Sequence, residues 1–127
     1  MGKPDNTGFM RVVRAARYST QGLIDAWRFE SAFRQELTLT LIMTPIALWL
    51  GRTPLERTLL IVCCVAVLVV ELLNSAVEAA IDRHGDELHE LSGRAKDLGS
   101  AAVMLSLCVV GVVWGVVIYE RFFAGVS

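Results

Sequence analysis

Charge is absent from three long stretches of this 127-residue chain: residues 37–51, 58–70 and 98–119 contain no Asp, Glu, Lys or Arg. Charged residues make up only 20% of the whole, against about 25% in an ordinary soluble domain. Cysteine is scarce as well. Cys63, Cys64 and Cys108 all lie inside apolar runs, with no spacing for a disulfide framework or a metal. A disulfide-built secreted module is therefore excluded, and the three read as small core hydrophobes. The G-x-x-x-x-G-K-[ST] loop is missing, as is anything like the protein-kinase signature set, so neither common ATP fold is present. His84 and His89, with Asp86 and Glu87, lack a recognisable zinc-ligand frame. No apolar signal core precedes the run that begins near Leu37, and no cleaved targeting segment is expected.

Apolar residues, by contrast, account for 54% of the chain, and mean hydropathy is +0.54. That composition excludes disorder, and the length excludes two large soluble domains. The net charge of −1, from 12 Lys+Arg and 13 Asp+Glu, points to no polyanionic partner, so no nucleic acid is expected. The sequence reads as a small, all-α integral membrane protein, a single domain over 1–127.

Hydropathy sets out three membrane helices, expected over 30–51, 57–82 and 98–121. The third is the clearest, since about 20 helical residues cross a hydrocarbon core of about 30 Å. The first contains Pro45 and has Arg34 and Glu36 at its rim. Gly51-Arg52-Thr53-Pro54 is a turn with Pro54 suited to a helix start, Gly85 suits a helix C′ position, and Ser92 or Asp97 suits the cap of the third helix. Ahead of these, 7–25 reads as an amphipathic helix: Phe9, Val12, Val13 and Ala16 share one side while Arg11, Arg14 and Arg17 cluster on the other. In a membrane protein this is the pattern of a helix lying in the interface; the alternative is an amphipathic helix packed on its own protein. Lys3, Arg11, Arg14, Arg17, Arg28 and Arg34 lie on the same side as Arg83, Arg94 and Lys96 if the N-terminus and second loop share a compartment, leaving Arg52, Arg57 and Arg121 opposite. The positive-inside rule then puts the N-terminus and second loop in the cytoplasm.

Chemistry is expected on the second membrane helix. Glu71, Asn74, Glu78 and Asp82 recur at i, i+3, i+7 and i+11, and at 100° per residue they fall within roughly 80° of arc. Carboxylates at membrane depth are functional candidates by default. The bland alternative is a packing stripe acting through Asn74 and Ser75 with carboxylates at the rim, which stands equally for Asp82 near the loop. Glu71 follows an unbroken apolar run and favours function. Glu71 and Glu78 lie about 10 Å apart along the axis, so the deeper one suits a general base for a lipid hydroxyl and the outer one a hard cation such as Mg²⁺. Glu30 is the obvious second carboxylate. Lys96 could neutralise phosphate charge, and Gly93 would let backbone approach a nucleotide, though basic residues are expected at a cytoplasmic rim anyway.

Asn6-Thr7-Gly8-Phe9, Ala32-Phe33-Arg34-Gln35-Glu36, Val70-Glu71-Leu72-Leu73-Asn74-Ser75-Ala76-Val77-Glu78-Ala79 and His89-Glu90-Leu91-Ser92-Gly93-Arg94-Ala95-Lys96-Asp97 resemble the prokaryotic diacylglycerol kinases, in order and over roughly 6–122. E-x-x-N-S-x-x-E followed by G-R-A-K-D is a highly specific combination. The resemblance implies a bacterial inner-membrane homotrimer, a helical bundle of three membrane helices and one surface helix per protomer, with active sites between subunits at the cytoplasmic face. It implies transfer of the γ-phosphate of MgATP to diacylglycerol, giving phosphatidic acid. Carried over by motif, Glu71 is similar to the general base, with Asn74 supporting the phosphate and base region and Glu30 and Glu78 as metal ligands. Arg11, Tyr18, Glu87, His89, Lys96 and Asp97 resemble nucleotide contacts, as do Glu30 and Glu78. The lipid would lie along Arg11, the stretches 15–20, 24–27 and 32–36 (with Ala15, Ala16, Ser19, Thr20, Ile24, Trp27, Ala32, Arg34 and Glu36), Trp49 and Ser100, with Arg57 and the 114–119 stretch from Trp114 to Tyr119 contributing and Glu71 at the acceptor hydroxyl. Two departures stand out: the second loop varies around Glu87 and His89, and position 20 is Thr rather than a bulky aromatic. The undecaprenol kinases share the fold and most of the same residues; the 32–36 stretch looks more like the diacylglycerol branch. A proton-coupled transporter using Glu71 as proton carrier, or a purely structural membrane subunit, ranks below both.

Overall fold

The computed structural model describes residues 7–83 and 90–124. These form four helices: α1 (Gly8–Phe29), α2 (Ser31–Leu50), α3 (Pro54–Asp82) and α4 (Glu90–Phe122). α3 packs against both α2 and α4, and α1 rests on α2. α3 and α4 are long and apolar enough to cross a membrane. α2 is less apolar: its uncharged part is only 37–50, about 21 Å of helix.

Each helix start and stop has a local cause. The Thr7 hydroxyl accepts from the Met10 N–H at 3.4 Å and caps α1. α1 then runs past the expected end at 25, because nothing in Ala26–Phe29 breaks a helix, and stops where Glu30 turns to φ −115°, ψ 104°. The hydrogen-bond ladder scarcely notices: the Glu30 N–H donates to Ala26 O at 3.0 Å, and its carbonyl accepts from the Arg34 N–H at 3.2 Å. The Arg34 guanidinium pins the joint from the other side, donating through Nη1 to the carbonyls of Trp27 (2.8 Å) and Arg28 (3.2 Å). These are carbonyls that a helix end would otherwise leave unpaired.

Threonine hydroxyls on α2 donate back one turn, Thr38 to Arg34 O, Thr40 to Glu36 O and Thr44 to Thr40 O, at 2.7–2.8 Å. A polar side chain is thereby satisfied within its own helix, which suits an apolar setting. The α2–α3 turn closes tightly: a Cβ at Gly51 would lie 2.6 Å from Arg57 Cγ and 2.9 Å from its backbone nitrogen. Arg57 Nε also donates to Gly51 O at 2.9 Å. Thr53 caps α3 by accepting from Glu56 N–H at 3.1 Å, with Pro54 in the first turn as expected.

Two sequence expectations for α4 need correction. It begins at Glu90 rather than 98, so Ser92 and Asp97 lie inside the helix and cap nothing. Hydropathy marks the edge of the apolar segment, whereas the helix is set by backbone and local pairs, here Glu90, an acidic residue in the first turn that also pairs with Arg94 at 3.4 Å. Gly93 is helical and exposed with open space around it, not a loop residue. α3 starts at Pro54, where the turn signal puts a helix start, three residues ahead of the 57–82 span set by hydropathy. The Gly85 expectation lies outside the described residues.

Ala47, Leu50, Leu60 and Val117 form the buried core, with Ile61, Val113 and Trp114 against it. It sits at the end of the bundle near the α2–α3 turn. Trp114 Nε1 donates to Leu60 O at 3.2 Å, Arg52 Nη2 to Glu120 O at 3.2 Å and Arg121 Nη1 to Leu50 O at 3.5 Å, tying α4 to both neighbours. The Arg121 guanidinium lies 5.1 Å over the Trp49 ring, and Trp49 meets Phe122 with centroids 6.2 Å apart. Leu60 is wholly buried. Leu60→Ala is expected to destabilise the fold by about 2 kcal/mol, the low end of the Leu→Ala range, because lost packing rather than lost transfer from water dominates between apolar helices. Equilibrium unfolding in mixed micelles reads this directly.

Candidate active site

The α3 stripe is graded in depth. Glu71 is buried, 6% exposed; Asn74 and Glu78 are half-buried, and Asp82 is exposed. Sequence periodicity puts the four on one face, and the fold turns the inner end of that face into the protein. Glu36 from α2, Glu78 two stripe positions outward and Glu30 at the α1–α2 joint all act on Glu71 electrostatically. Like charges gathered around a buried carboxylate are unfavourable unless a proton or a cation offsets them.

Glu30 is well placed to serve such a cation. It stands at the non-helical joint, with no side-chain capping bond to occupy its carboxylate. Among the described residues no three His, Cys, Asp or Glu converge as a metal site on their own. Glu30 and Glu78 therefore suit a hard cation that completes its shell with other oxygens, the habit of Mg²⁺ when bound with phosphates.

Lys96 points at the same face from α4. Its Nζ donates to Asp82 Oδ1 at 2.9 Å. Asp82 is the residue whose role the sequence left open, and here it orients Lys96. The pairing was hidden because it depends on how α3 and α4 are set side by side. Asn74 Oδ1 is buried without a hydrogen-bond partner, an arrangement that disfavours the site by about 1–3 kcal/mol.

Two open grooves lie on the α1-facing side of α3, next to the stripe but lined by none of its four residues. One, of about 640 Å³, runs between α1 and α3 and is lined by Ser19, Gly22, Asp25, Ala26 and Glu30 facing Leu72, Ser75, Ala76 and Ala79. Of these α1 residues, Gly22 is the one that the sequence reading does not single out. The signal was available: Ser19, Gly22, Ala26 and Glu30 repeat the i, i+3, i+7, i+11 spacing once the helix is carried past residue 25. The second groove, about 560 Å³, is almost wholly apolar, with Thr20, Ile24 and Trp27 of α1 opposite Val65, Leu68, Val69 and Leu72 of α3. It can take an acyl chain.

Other expected site residues lie elsewhere. Arg11, Ala15, Ala16 and Tyr18 sit on the exposed first half of α1, beyond the grooves. Ala32 and Ser100 are exposed, and Arg34 spends its guanidinium on the α1–α2 joint. Asp97 is exposed beside Lys96 in sequence. Trp49, Arg57, Trp114 and Tyr119 are at the core end; Arg57 is 14 residues from Glu71 on the same helix, about 21 Å away, so one chain does not bring them to the carboxylates. Glu87 and His89 lie outside the described residues.

Comparison with known proteins fits this geometry. Residues 17–118 match the family described as prokaryotic diacylglycerol kinase. The chain is 48% identical over 118 residues to the diacylglycerol kinase of Escherichia coli strain K12, covering 93% of this chain and 97% of that one. It is 49% identical over 113 residues to that of Haemophilus influenzae, covering 89% and 96%, and 45% identical over 112 residues to that of Pseudomonas aeruginosa, covering 88% and 91%. With its all-helical architecture and its long apolar α3 and α4, this is a membrane protein, and it belongs to the prokaryotic diacylglycerol kinase family.

Proposed function

We propose that this chain moves the γ-phosphate of MgATP directly onto the hydroxyl of 1,2-diacylglycerol, with Glu71 as general base. Phosphoryl transfer from ATP to diacylglycerol is the reaction of its family. The observation that carries the mechanism is Glu71 itself: a carboxylate 6% exposed, one to two turns below the polar rim and next in the chain to Leu72, which lines the apolar groove.

The acceptor lipid enters from the bilayer with a chain along Thr20, Ile24 and Trp27. Its hydroxyl oxygen attacks the γ-phosphorus in line with the departing ADP oxygen, and Glu71 takes the hydroxyl proton. Asn74 steadies the phosphate side of Glu71. Glu30 and Glu78 would hold the metal that accompanies ATP, which would supply positive charge to the phosphates, and Lys96, oriented by Asp82, offsets phosphate charge from α4. Arg11, Tyr18, Glu87, His89 and Asp97 complete the nucleotide site. The products are phosphatidic acid and ADP; no phosphoenzyme forms.

The same reading assigns α2, α3 and α4 to the membrane, with Arg34 and Glu36 reaching the rim of the short α2, and lays α1 in the interface. Support for the latter comes from Phe9 and Val12, which stay 75% and 67% exposed on the side away from Arg14 and Arg17. It puts the chain in the bacterial inner membrane with the N-terminus and second loop cytoplasmic. It also assembles the chain as a homotrimer, in which Trp49, Arg57, Trp114 and Tyr119 join the lipid path along its length.

The test offers purified protein in mixed micelles MgATP with diacylglycerol and undecaprenol as competing acceptors. Phosphatidic acid is the expected main labelled product. Undecaprenyl phosphate would keep the chemistry and change the substrate, and labelling of neither lipid by folded protein would end the kinase reading.

A further inference from the structure

We infer that Gly99 is a positioning residue for phosphoryl transfer: by having no side chain it admits the Asn74 carboxamide into the α3–α4 interface, and so sets how closely α4 carries Lys96 to the carboxylate stripe. A Cβ built at Gly99 would lie 2.1 Å from Asn74 Oδ1 and 3.2 Å from its Cγ. No side chain tolerates the first distance. The contact is particular to this glycine, since Gly22, Gly93, Gly111 and Gly115, also helical, have nothing within 4 Å of the same position. From the α3 side the same point is marked independently, because Asn74 Oδ1 is the one buried side-chain oxygen or nitrogen without a hydrogen-bond partner among the described residues. The oxygen fills the space that a methyl group would occupy.

Lys96 stands one turn before Gly99 on the same side of α4, and its Nζ reaches Asp82, two turns beyond Asn74 on α3, at 2.9 Å. The two contacts lie on one antiparallel seam. Ala at 99 is accommodated only if the Asn74 amide rotates out or α4 retreats, and either movement displaces a group assigned to the transfer site. The inference rests on that assignment.

Gly99→Ala in the purified full-length protein is expected to lower kcat about tenfold or more, as small misplacements at a reacting centre do, with the thermal unfolding midpoint lowered. Gly111→Ala on the same helix, where space is open, should leave both unchanged or raise the midpoint through helix propensity. The deciding measurement is the cycle with Asn74→Ala, which removes the obstructing oxygen. In that background Gly99→Ala should change kcat by less than about twofold and leave the midpoint where Asn74→Ala alone puts it. Gly99→Ala that folds only when combined with Asn74→Ala supports the same conclusion. Parental kcat and midpoint in Gly99→Ala, an equal loss with and without Asn74, or failure of both variants to fold would each overturn it. Parental kcat in Asn74→Ala alone would instead refute the role of Asn74, leaving the unfolding midpoints to decide the contact.

Discussion

Glu71→Gln is expected to reduce turnover by about 10²–10⁴-fold, the contribution of a positioned general base, while equilibrium affinity for MgATP stays within about twofold. Gln keeps the shape and most of the packing of Glu and removes only its capacity to accept a proton. The substitution also withdraws one carboxylate from a buried position on which Glu36, Glu78 and Glu30 all act, so the folded protein should unfold no more easily than the parent. Loss of activity without loss of stability or nucleotide binding therefore isolates the proton-transfer step. Nucleotide binding by the purified variant, together with single-turnover phosphorylation of diacylglycerol, makes the separation. A large fall in ATP affinity would move Glu71 from the base to the nucleotide site, and retained turnover would remove it from the chemistry.

The sequence made the α3 stripe legible because two quantities it encodes directly are decisive there. Helical periodicity fixes that Glu71, Asn74, Glu78 and Asp82 share a face, and the end of the uncharged run fixes which of them is deepest. The burial gradient follows that order, from buried Glu71 to exposed Asp82. What it could not supply is the register between helices. The Lys96–Asp82 pair joins residues 14 apart across the second loop, and Gly99 meets Asn74 only because α4 lies antiparallel against α3. Helix ends were obscured for a different reason. Apolarity reports where lipid begins, not where backbone hydrogen bonds begin, so α4 was expected a full two turns too late and Ser92 and Asp97 were mistaken for caps. Residues of the expected lipid path divide between the two ends of the bundle. Thr20, Ile24 and Trp27 share one groove, but Trp49, Arg57, Trp114 and Tyr119 belong to the opposite end. Counting 1.5 Å per residue along α3 separates Arg57 from Glu71 without any coordinates.

Glu78→Gln and Glu30→Gln are expected to fail in a way that Glu71→Gln does not. Each should lower kcat/KM for MgATP by about 10²-fold or more, a few kcal/mol at 1.36 per decade, and each should raise the Mg²⁺ concentration needed for half-maximal rate. The reason lies in the donor set. No three described His, Cys, Asp or Glu side chains converge as a metal site, and in the proposed site the protein would supply two carboxylates and the phosphates the rest. Removing either carboxylate halves the protein's share of the charge that retains the cation. The two come from different elements, Glu78 from α3 and Glu30 from the α1–α2 joint, so the metal would also draw those elements together over the groove between α1 and α3. Initial rates across a Mg²⁺ series at fixed ATP, repeated with Mn²⁺, read the requirement directly. A parental Mg²⁺ profile in Glu78→Gln would take that residue out of the metal site, and a parental profile in both variants would leave Glu30 and Glu78 as rim charges only.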